Sequence, residues 1–301
     1  MIEGQEGVTW EHWLALAEAC ERHGVGTLFR SDHYLSQADE AGNVAHDAWT
    51  TIAALAARTT TLRFGTLVSP ATFRAPALLA NAAATADHVS GGRIELGLGA
   101  GWMEREHRAY GFPFPETPVR VAMFAEQLEI VHRLWTEPRV DFRGHHYVLE
   151  DCPALPKPVQ RPRPPLIVGG SGGRGTVEPA LRLADEYNTP FASPEDAARI
   201  RAKVPGLRFS VMTGLLVGET REDLRERARV LYERRPRELA FDDWLTAFGR
   251  NAVAGSVEEV VERLREYERA GCDRVMLQHL LHTDLEPVRL LGEAVRPALA
   301  P

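Results

Sequence analysis

Short apolar runs alternate with longer amphipathic stretches along this chain of 301 residues. The clearest example is 61–101, which predicts a strand, a loop, a helix, a tight turn and a second strand. Ser90-Gly91-Gly92 ends the helix, and Gly99-Ala100-Gly101 follows the second strand. Two parallel strands need a crossover of this kind, so this stretch predicts one βαβ unit.

The same order recurs from one end of the chain to the other. Strands are predicted at 1–4, 25–30, 62–68, 93–99, 165–170, 186–190, 208–217 and 273–278. Helices are predicted at 9–23, 47–58, 75–89, 118–135, 176–184, 194–203, 220–234, 241–250, 256–270 and 285–299. Eight strands, nearly all followed by helices, predict an α/β fold: a TIM (β/α)8 barrel forming a single domain over 1–301.

Two regions depart from the regular alternation. Residues 140–149 alternate around Gly144 and predict a hairpin, and the proline-rich stretch 152–165 predicts an extended connection. Together they make 137–165 an insertion between the fourth helix and the fifth strand. The first strand, 1–4, is short. Either the natural start precedes Met1, or this strand is simply short.

Composition narrows the class of protein. A hydrophobic fraction of 44% and a charged fraction of 26% are ordinary for a soluble globular protein. A net charge of −7 argues against a general nucleic-acid binder. Cys20, Cys152 and Cys272 form no CxxC pair, which favours the reducing cytoplasm over a disulfide framework or a zinc site. The sequence predicts neither a secretory signal nor a membrane span.

Candidate chemistry lies in the loops that follow the predicted strands, where barrel enzymes carry their active sites. Asp32-His33 follows the second strand, and a histidine there can move a proton near neutral pH. The alternative is a helix-capping aspartate beside a solvated histidine. Gln278 and His279 follow the last strand and could flank the same site.

Two glycine-rich loops complete the candidate set. Gly97-Leu98-Gly99-Ala100-Gly101 precedes Trp102 rather than a regular helix start, which argues against a dinucleotide fold. Glycines at 169, 170, 172 and 173, with Ser171 between them and Arg174 after them, open a predicted helix. Backbone amides and a helix N-terminus favour a phosphate site here. A structural turn is the alternative.

Several of these pieces carry a resemblance when taken in order. They are Ser31-Asp32-His33, the stretch from Gly101-Trp102 to Glu106-His107, Arg143-Gly144 before Tyr147, and 166–173. Together they resemble the luciferase-like monooxygenase superfamily, in particular its branch that uses the deazaflavin coenzyme F420. The resemblance implies an oxidoreductase that transfers a hydride between C5 of F420 and a small organic substrate. A monooxygenase of the same fold that uses reduced FMN is the alternative.

The resemblance also implies roles for residues. His33 would be catalytic, and the coenzyme ring would lie against Asp32, Thr66, Leu67, Ala100 and Gly101, with a cis peptide at Thr66–Leu67. The phosphate of either coenzyme would bind at Gly169, Gly170, Ser171, Gly172 and Gly173. No metal is expected. Relatives are frequently homodimers, with the helices at 73–89 and 119–135 as candidate faces.

Two departures limit what the resemblance transfers. The sugar-phosphate dehydrogenases of this branch have an acidic glutamate where this chain has Trp102, and a tryptophan where Gln37 stands nearby. Sugar-phosphate activity is therefore not expected. Arg74 and Glu106 are expected to form a structural ion pair. A third hypothesis assigns a different class of function: a non-catalytic binding barrel or a metal-dependent hydrolase. The absence of an HxH motif counts against the hydrolase.

Overall fold

The computed structural model describes residues 1–36, 45–234 and 238–300, so Gln37 lies outside the described residues. Its strands are β1 (Thr27–Arg30), β2 (Arg63–Pro70), β3 (Ile94–Gly99), β4 (Val140–Arg143), β5 (Val148–Cys152), β6 (Leu166–Gly169), β7 (Glu186–Pro190), β8 (Arg208–Gly218), β9 (Val253–Ser256) and β10 (Arg274–His279).

The helices lie between these strands. They are α1 (Trp10–Arg22), α2 (Ala48–Ala56), α3 (Pro76–Ser90), α4 (Glu104–Tyr110), α5 (Thr117–Thr136), α6 (Arg174–Leu183), α7 (Pro194–Arg201), α8 (Arg221–Glu233), α9 (Phe241–Asn251), α10 (Val257–Arg269), α11 (Glu286–Leu290), a segment of π-helix (Leu291–Val295) and α12 (Arg296–Leu299). The predicted helix at 285–299 is thus interrupted by this five-residue segment of π-helix.

The main sheet of the described residues has eight strands, seven of them in the order β1-β2-β3-β6-β7-β8-β10, while β9 pairs with β8 outside this order. Residues Met1 and Ile2 join its two edges. The Ile2 amide donates to the Phe29 carbonyl of β1 at 2.9 Å, and the His279 amide of β10 donates to the Met1 carbonyl at 2.9 Å. The first two residues therefore take the place of an eighth strand in this order and close the sheet. The predicted TIM barrel is confirmed.

Local sequence signals explain several element ends. Capping boxes begin α1 at Thr9, α8 at Thr220 and α10 at Ser256, where a side chain and a backbone amide three residues apart satisfy each other. Gly91 ends α3 in the left-handed region, with a φ of 66°, which glycine adopts without strain. The predicted hairpin is confirmed as β4 and β5, which pair antiparallel.

Two elements were not predicted. β9 pairs parallel with the last residues of β8, from Leu215 to Gly218, beside the point where β10 ends its own pairing with β8. α4 follows the glycine loop after β3, where the sequence analysis expected no helix. α4 matters for function because it carries Glu106 to the mouth of the barrel.

The core of the described residues has three parts, one of them a cluster around α8 and α9 formed by Leu216, Ala228, Leu231, Trp244 and Leu281. A small apolar cluster fills the barrel, formed by Phe29, Leu67, Ile167, Met212 and Met276. A larger cluster lies between the strands and the surrounding helices. Within the described ranges, the helices include none that is long and apolar enough to cross a bilayer.

Candidate active site at the barrel mouth

The predicted site residues lie at the carboxyl ends of neighbouring strands. Asp32 and His33 follow β1, Thr66 and Leu67 belong to β2, Ala100 and Gly101 follow β3, and 169–173 join β6 to α6. Since β1, β2, β3 and β6 are consecutive in the sheet, these segments meet at one side of the barrel mouth. The chain thus assembles its candidate residues on adjacent strands.

His33 is held by a buried glutamate. Its Nδ1 lies 2.7 Å from Oε2 of Glu106, whose side chain is fully buried. The other oxygen of Glu106 accepts the backbone amides of Tyr34 and Leu35, the latter at 3.1 Å. Burial by itself lowers the pKa of His33, but the hydrogen bond and the charge of Glu106 outweigh it, so the pKa is raised above its usual value.

The expected ion pair between Arg74 and Glu106 is wrong. Glu106 binds His33, whereas Arg74 binds two other carboxylates. Arg74 Nη1 lies 2.6 Å from Asp32 Oδ2, and Nη2 lies 2.5 Å from Asp47 Oδ2. Spacing along the chain could not reveal these pairings, because both depend on how the loops after β1 and β3 fold against each other.

Asp32 is fixed by a network of hydrogen bonds rather than solvated. Ser69 Oγ donates to Asp32 Oδ2 at 2.6 Å, and Trp49 Nε1 donates to Ser69 Oγ at 3.1 Å. Asp32 is 1% exposed, and its second oxygen, Oδ1, has no hydrogen-bond partner in the part of the chain that the structure describes. A buried carboxylate oxygen left in this state is a ready acceptor for a ligand group.

Arg74 also stabilises the charged form of Asp47, close to Asp32. Burial raises the pKa of Asp47, but backbone and side-chain hydrogen bonds and the Arg74 charge outweigh it and hold that pKa well below its usual range. Tyr34 OH donates to Asp47 Oδ2 at 2.7 Å, and burial raises the pKa of this phenol. The loop after β1 is therefore tied to α2 and β2 by charged hydrogen bonds.

The cis peptide lies one residue later than predicted. It joins Leu67 to Val68, not Thr66 to Leu67. The pairing of β2 with β3 shifts register between Thr66 and Ser69 at this point. The Thr66 hydroxyl donates to the Gly97 carbonyl at 3.0 Å, which ties this irregular part of β2 to β3.

Val68 accounts for glycines that the sequence analysis assigned to the coenzyme or left open. A Cβ on Gly99 would lie 2.7 Å from one methyl of Val68, and a Cβ on Gly169 would lie 2.9 Å from the other. A Cβ on Gly101 would instead meet the Thr72 hydroxyl at 2.9 Å, and Gly101 has a φ of 80°. These glycines are required by packing, whatever else they contact.

The glycine-rich loop before α6 retains part of the expected phosphate site. The Gly172 amide donates to Tyr187 OH at 2.9 Å, and the Gly170 amide donates to the Asn188 carbonyl at 2.9 Å. The amides of Ser171 and Gly173 make no hydrogen bond to any described residue, and no side chain caps α6. Two amides and an uncapped helix start therefore remain for an anion.

The charges around this loop differ from expectation. Arg174 is 90% exposed and binds Glu178 on its own helix at 2.7 Å, so it does not turn toward the loop. Lys203, which follows α7, places its Nζ 3.2 Å from the Gly172 carbonyl. Lys203 was not predicted as a site residue because it lies 31 positions from Gly172 along the chain.

Trp102 lies beside His33, with the two rings edge to face and their centroids 5.7 Å apart. Trp102 is 59% exposed, so its indole has one free face. Nearby, Tyr34, Phe73, Tyr110 and Phe112 contact one another through their rings. Trp102 and these rings thus form an aromatic wall beside His33.

Two other buried histidines, His107 and His279, are bound by the protein itself. His107 Nδ1 donates to the Met103 carbonyl and its Nε2 accepts from the Thr72 hydroxyl, each at 2.7 Å. His279 Nε2 donates to the Asp284 carbonyl at 2.7 Å, and burial lowers its pKa to about 4. Gln278 Nε2 donates to Glu3 Oε1 at 2.5 Å. Among the described residues there is no cluster suited to a metal ion.

Comparison with known proteins decides the family. The model of the luciferase-like monooxygenase family matches residues 2–274. The chain belongs to this family. It is therefore a member of an enzyme family, as the ordered motifs predicted.

Family members of both coenzyme types are similar to this chain. It is 32% identical to an FMNH2-dependent dimethylsulfone monooxygenase of Pseudomonas putida, over 72% of this chain and 60% of that protein. It is 28% identical to an F420-dependent glucose-6-phosphate dehydrogenase of Nakamurella multipartita, over 94% of this chain and 91% of that protein. The chain spans only half the length of two other relatives.

A solved structure in the family shares the fold. An F420-dependent secondary alcohol dehydrogenase, in complex with an F420-acetone adduct, superposes with a TM-score of 0.79 at 22% identity. The alignment covers 100% of this chain and 98% of that structure. At this identity the likeness concerns the fold, and the barrel described above agrees with it.

Proposed function

We propose that this family member is an oxidoreductase that transfers a hydride between coenzyme F420 and a small organic substrate. The observation that carries the proposal is His33, a histidine held on a buried carboxylate at the barrel mouth. Hydride transfer to or from a carbon that bears oxygen must be matched by a proton, and His33 is placed to take or give one. The F420-dependent relative from Nakamurella multipartita aligns over 94% of this chain and 91% of its own length.

The residues present fit a tricyclic coenzyme with a phosphate. Asp32 Oδ1 is a buried acceptor without a partner in the described residues, suited to a donor on a ring edge. Ser171 and Gly173 offer backbone amides beside an uncapped helix start, with Lys203 close by. Bound there, the deazaflavin would supply or accept the hydride at its C5.

The protein residues have separable tasks. We propose that Asp32, Thr66, Leu67, Ala100 and Gly101 bind and orient the coenzyme ring, and that 169–173 bind its phosphate. His33 would take or return a proton at Nε2. Trp102 would shield His33 from water and line the substrate pocket. An aromatic wall favours an uncharged organic substrate over a sugar phosphate.

A reduced-FMN monooxygenase is the second candidate, favoured by the Pseudomonas putida relative. Calorimetric titration of the purified protein with F420 and with FMN separates the two. Micromolar F420 binding with much weaker FMN binding supports the deazaflavin proposal. The reverse preference rejects it in favour of the monooxygenase, whose substrate-dependent oxygen uptake would then be measured. If neither coenzyme binds, both proposals fail.

Lys203→Met tests the phosphate site within the same titration. Loss of one charge near the phosphate should weaken coenzyme binding roughly tenfold, the size expected for one charge-assisted contact. Arg182→Met is the matched control, since Arg182 is 62% exposed and binds Glu129 on α5. Equal affinities for the two variants would contradict phosphate binding at this loop.

We further propose a cytoplasmic homodimer in which residues 1–301 form one domain. Three free cysteines and exposed apolar side chains on α3 and α5, Leu78 and Val119, support it. Light scattering after gel filtration tests the dimer, and Leu78→Glu should shift it toward monomer. A monomer in the unmodified protein would reject the dimer. A single unfolding transition is expected for one domain.

A further inference from the structure

Glu106 makes two different kinds of contact with one carboxylate. Oε2 binds Nδ1 of His33, and Oε1 accepts two backbone amides of the residues that follow His33. Glu106 itself is fully buried on α4, whereas the His33 side chain is 11% exposed. The carboxylate therefore fixes both the ring and the loop that carries it.

The contact with Glu106 decides which nitrogen of His33 carries a proton. An ionised carboxylate only accepts hydrogen bonds, so Nδ1 must be the donor. Nε2 then makes no hydrogen bond to a residue within the described ranges, and it is the nitrogen left for a ligand. The Trp102 ring packs edge to face against the imidazole and restricts its rotation.

We propose that Glu106 is a positioning residue that locks His33 in its Nδ1–H form, so that Nε2 exchanges the proton of the catalysed reaction. This role rests on the proposed function. When a substrate alcohol is oxidised, its hydroxyl proton passes to Nε2. The hydrogen on its carbon leaves with two electrons for the deazaflavin, and a carbonyl forms. Reduction of a carbonyl runs the same transfers in the opposite direction.

The other carboxylates near His33 act on its pKa in the same direction as Glu106. The carboxylates of Glu3 and Asp32 favour the protonated ring, as Glu106 does. His107 lies on the same helix as Glu106, and burial lowers its pKa, so it is neutral near pH 7 and adds no opposing charge. Glu106 differs from Glu3 and Asp32 because it alone also hydrogen-bonds the ring.

Glu106→Gln tests the role because a glutamine keeps one function of the carboxylate and reverses the other. Its amide oxygen can still accept the backbone amides of Tyr34 and Leu35. Its NH2 group must then face Nδ1 of His33, which can only accept a hydrogen bond. The neutral ring should therefore change from the Nδ1–H to the Nε2–H form.

The first measurement uses the protein without coenzyme, labelled with 15N-histidine, with His33 assigned by comparison with His33→Gln. We expect Glu106→Gln to reverse the tautomer and to lower the titration midpoint of His33 by about 1 to 2 pH units. Glu104→Gln, on the exposed face of the same helix, should change neither. An unchanged tautomer and midpoint in folded Glu106→Gln would overturn the proposal.

The second measurement uses turnover with F420 and an accepted substrate. The rise of kcat with pH should shift to lower pH in Glu106→Gln by the same amount as the His33 midpoint, with KM for the coenzyme little changed. Glu106→Asp, which keeps the negative charge, should shift the pH dependence of kcat less than Glu106→Gln does. A reversed tautomer in a protein that binds no F420 would reject the proposed function, and only the control of the His33 tautomer by Glu106 would stand. A loss of kcat with no shift in its pH dependence would reject the positioning role alone.

Discussion

Arg274 and Glu186 form an ion pair inside the barrel, with Nη2 and Oε2 2.6 Å apart. The same nitrogen lies 2.8 Å from Glu95, so one guanidinium serves two carboxylates from β3 and β7. Burial lowers the pKa of Arg274, but the two carboxylates outweigh it and raise that pKa. Arg274 is therefore charged while it lies among buried carboxylates.

Arg274→Met should destabilise the protein by about 3 kcal/mol, because it leaves the buried Glu186 without a cation, whereas Glu95 keeps its pair with Arg63 at 2.9 Å. Urea unfolding at pH 7 measures the change. Arg139→Met provides the control, since Arg139 and Asp151 form an exposed pair on the hairpin, and its unfolding midpoint should stay at the wild-type value. Similar losses for both variants would mean that the interior pairing contributes nothing specific.

Gly97→Ala should destabilise the barrel because its Cβ would clash with the Thr66 carbonyl oxygen, a backbone atom that side-chain rotation cannot clear. A cost of at least about 1–3 kcal/mol is expected from such overpacking. Gly249→Ala, in α9, meets nothing within 4 Å and should instead stabilise the protein by up to about 1 kcal/mol. Thermal unfolding of both variants gives the comparison, and a neutral Gly97→Ala would show that β2 and β3 can separate.

His279 should make the protein less stable in mild acid. Burial lowers its pKa to about 4, whereas the unfolded chain has a value near 6.5. The contribution is complete above pH 6.5 and is lost as pH falls toward 4, because the unfolded state binds the proton first. His279→Gln should reduce the slope of unfolding free energy against pH in this range by up to about 1.4 kcal/mol per pH unit.

The control for this slope is His145→Gln, since His145 is exposed on the hairpin. It should leave the pH dependence of unfolding as in the wild type. If His279→Gln also leaves the slope unchanged, His279 would have to be protonated in the folded protein as readily as in the unfolded chain.

Arg74→Met should destabilise the protein by about 3 kcal/mol, since it removes the guanidinium that hydrogen-bonds Asp32, a carboxylate that is 1% exposed. Adding Asp32→Asn to this variant should recover part of the loss, because the remaining group is then neutral. Denaturation of the single and double variants forms a mutant cycle. Additive losses would contradict a direct coupling between the two side chains.

Sequence patterns predicted the barrel because each strand and helix carries its own local signal. Of the first strand predicted at 1–4, Met1 and Ile2 make its hydrogen bonds to β10 and β1, whereas Gly4 begins a turn. The glycine loops and Asp32-His33 were found because they follow strands, and the fold places strand ends together. These features depend on residues that are close along the chain or on the regular order of the elements.

The contacts that give the site its chemistry were not predicted. Glu106 lies 73 positions from His33, and it reaches His33 from a helix of seven residues that has too few turns for a periodic signal. The choice of Arg74 between Glu106 and Asp32 depends on loop packing, which no spacing rule encodes. The cis peptide was predicted one residue too early, because the register shift in β2 depends on its pairing with β3, which the sequence does not show.

Val68 restricts which residues can stand at 99 and 169, two positions at the ends of different strands. Its two methyl groups lie where Cβ atoms at 99 and 169 would stand, and these positions belong to different βα units. Anyone who recombines βα units between barrels of this family would therefore have to transfer residues 68, 99 and 169 as a set. A library that shuffles these units independently would select against members that place a side chain at 99 or 169 opposite Val68.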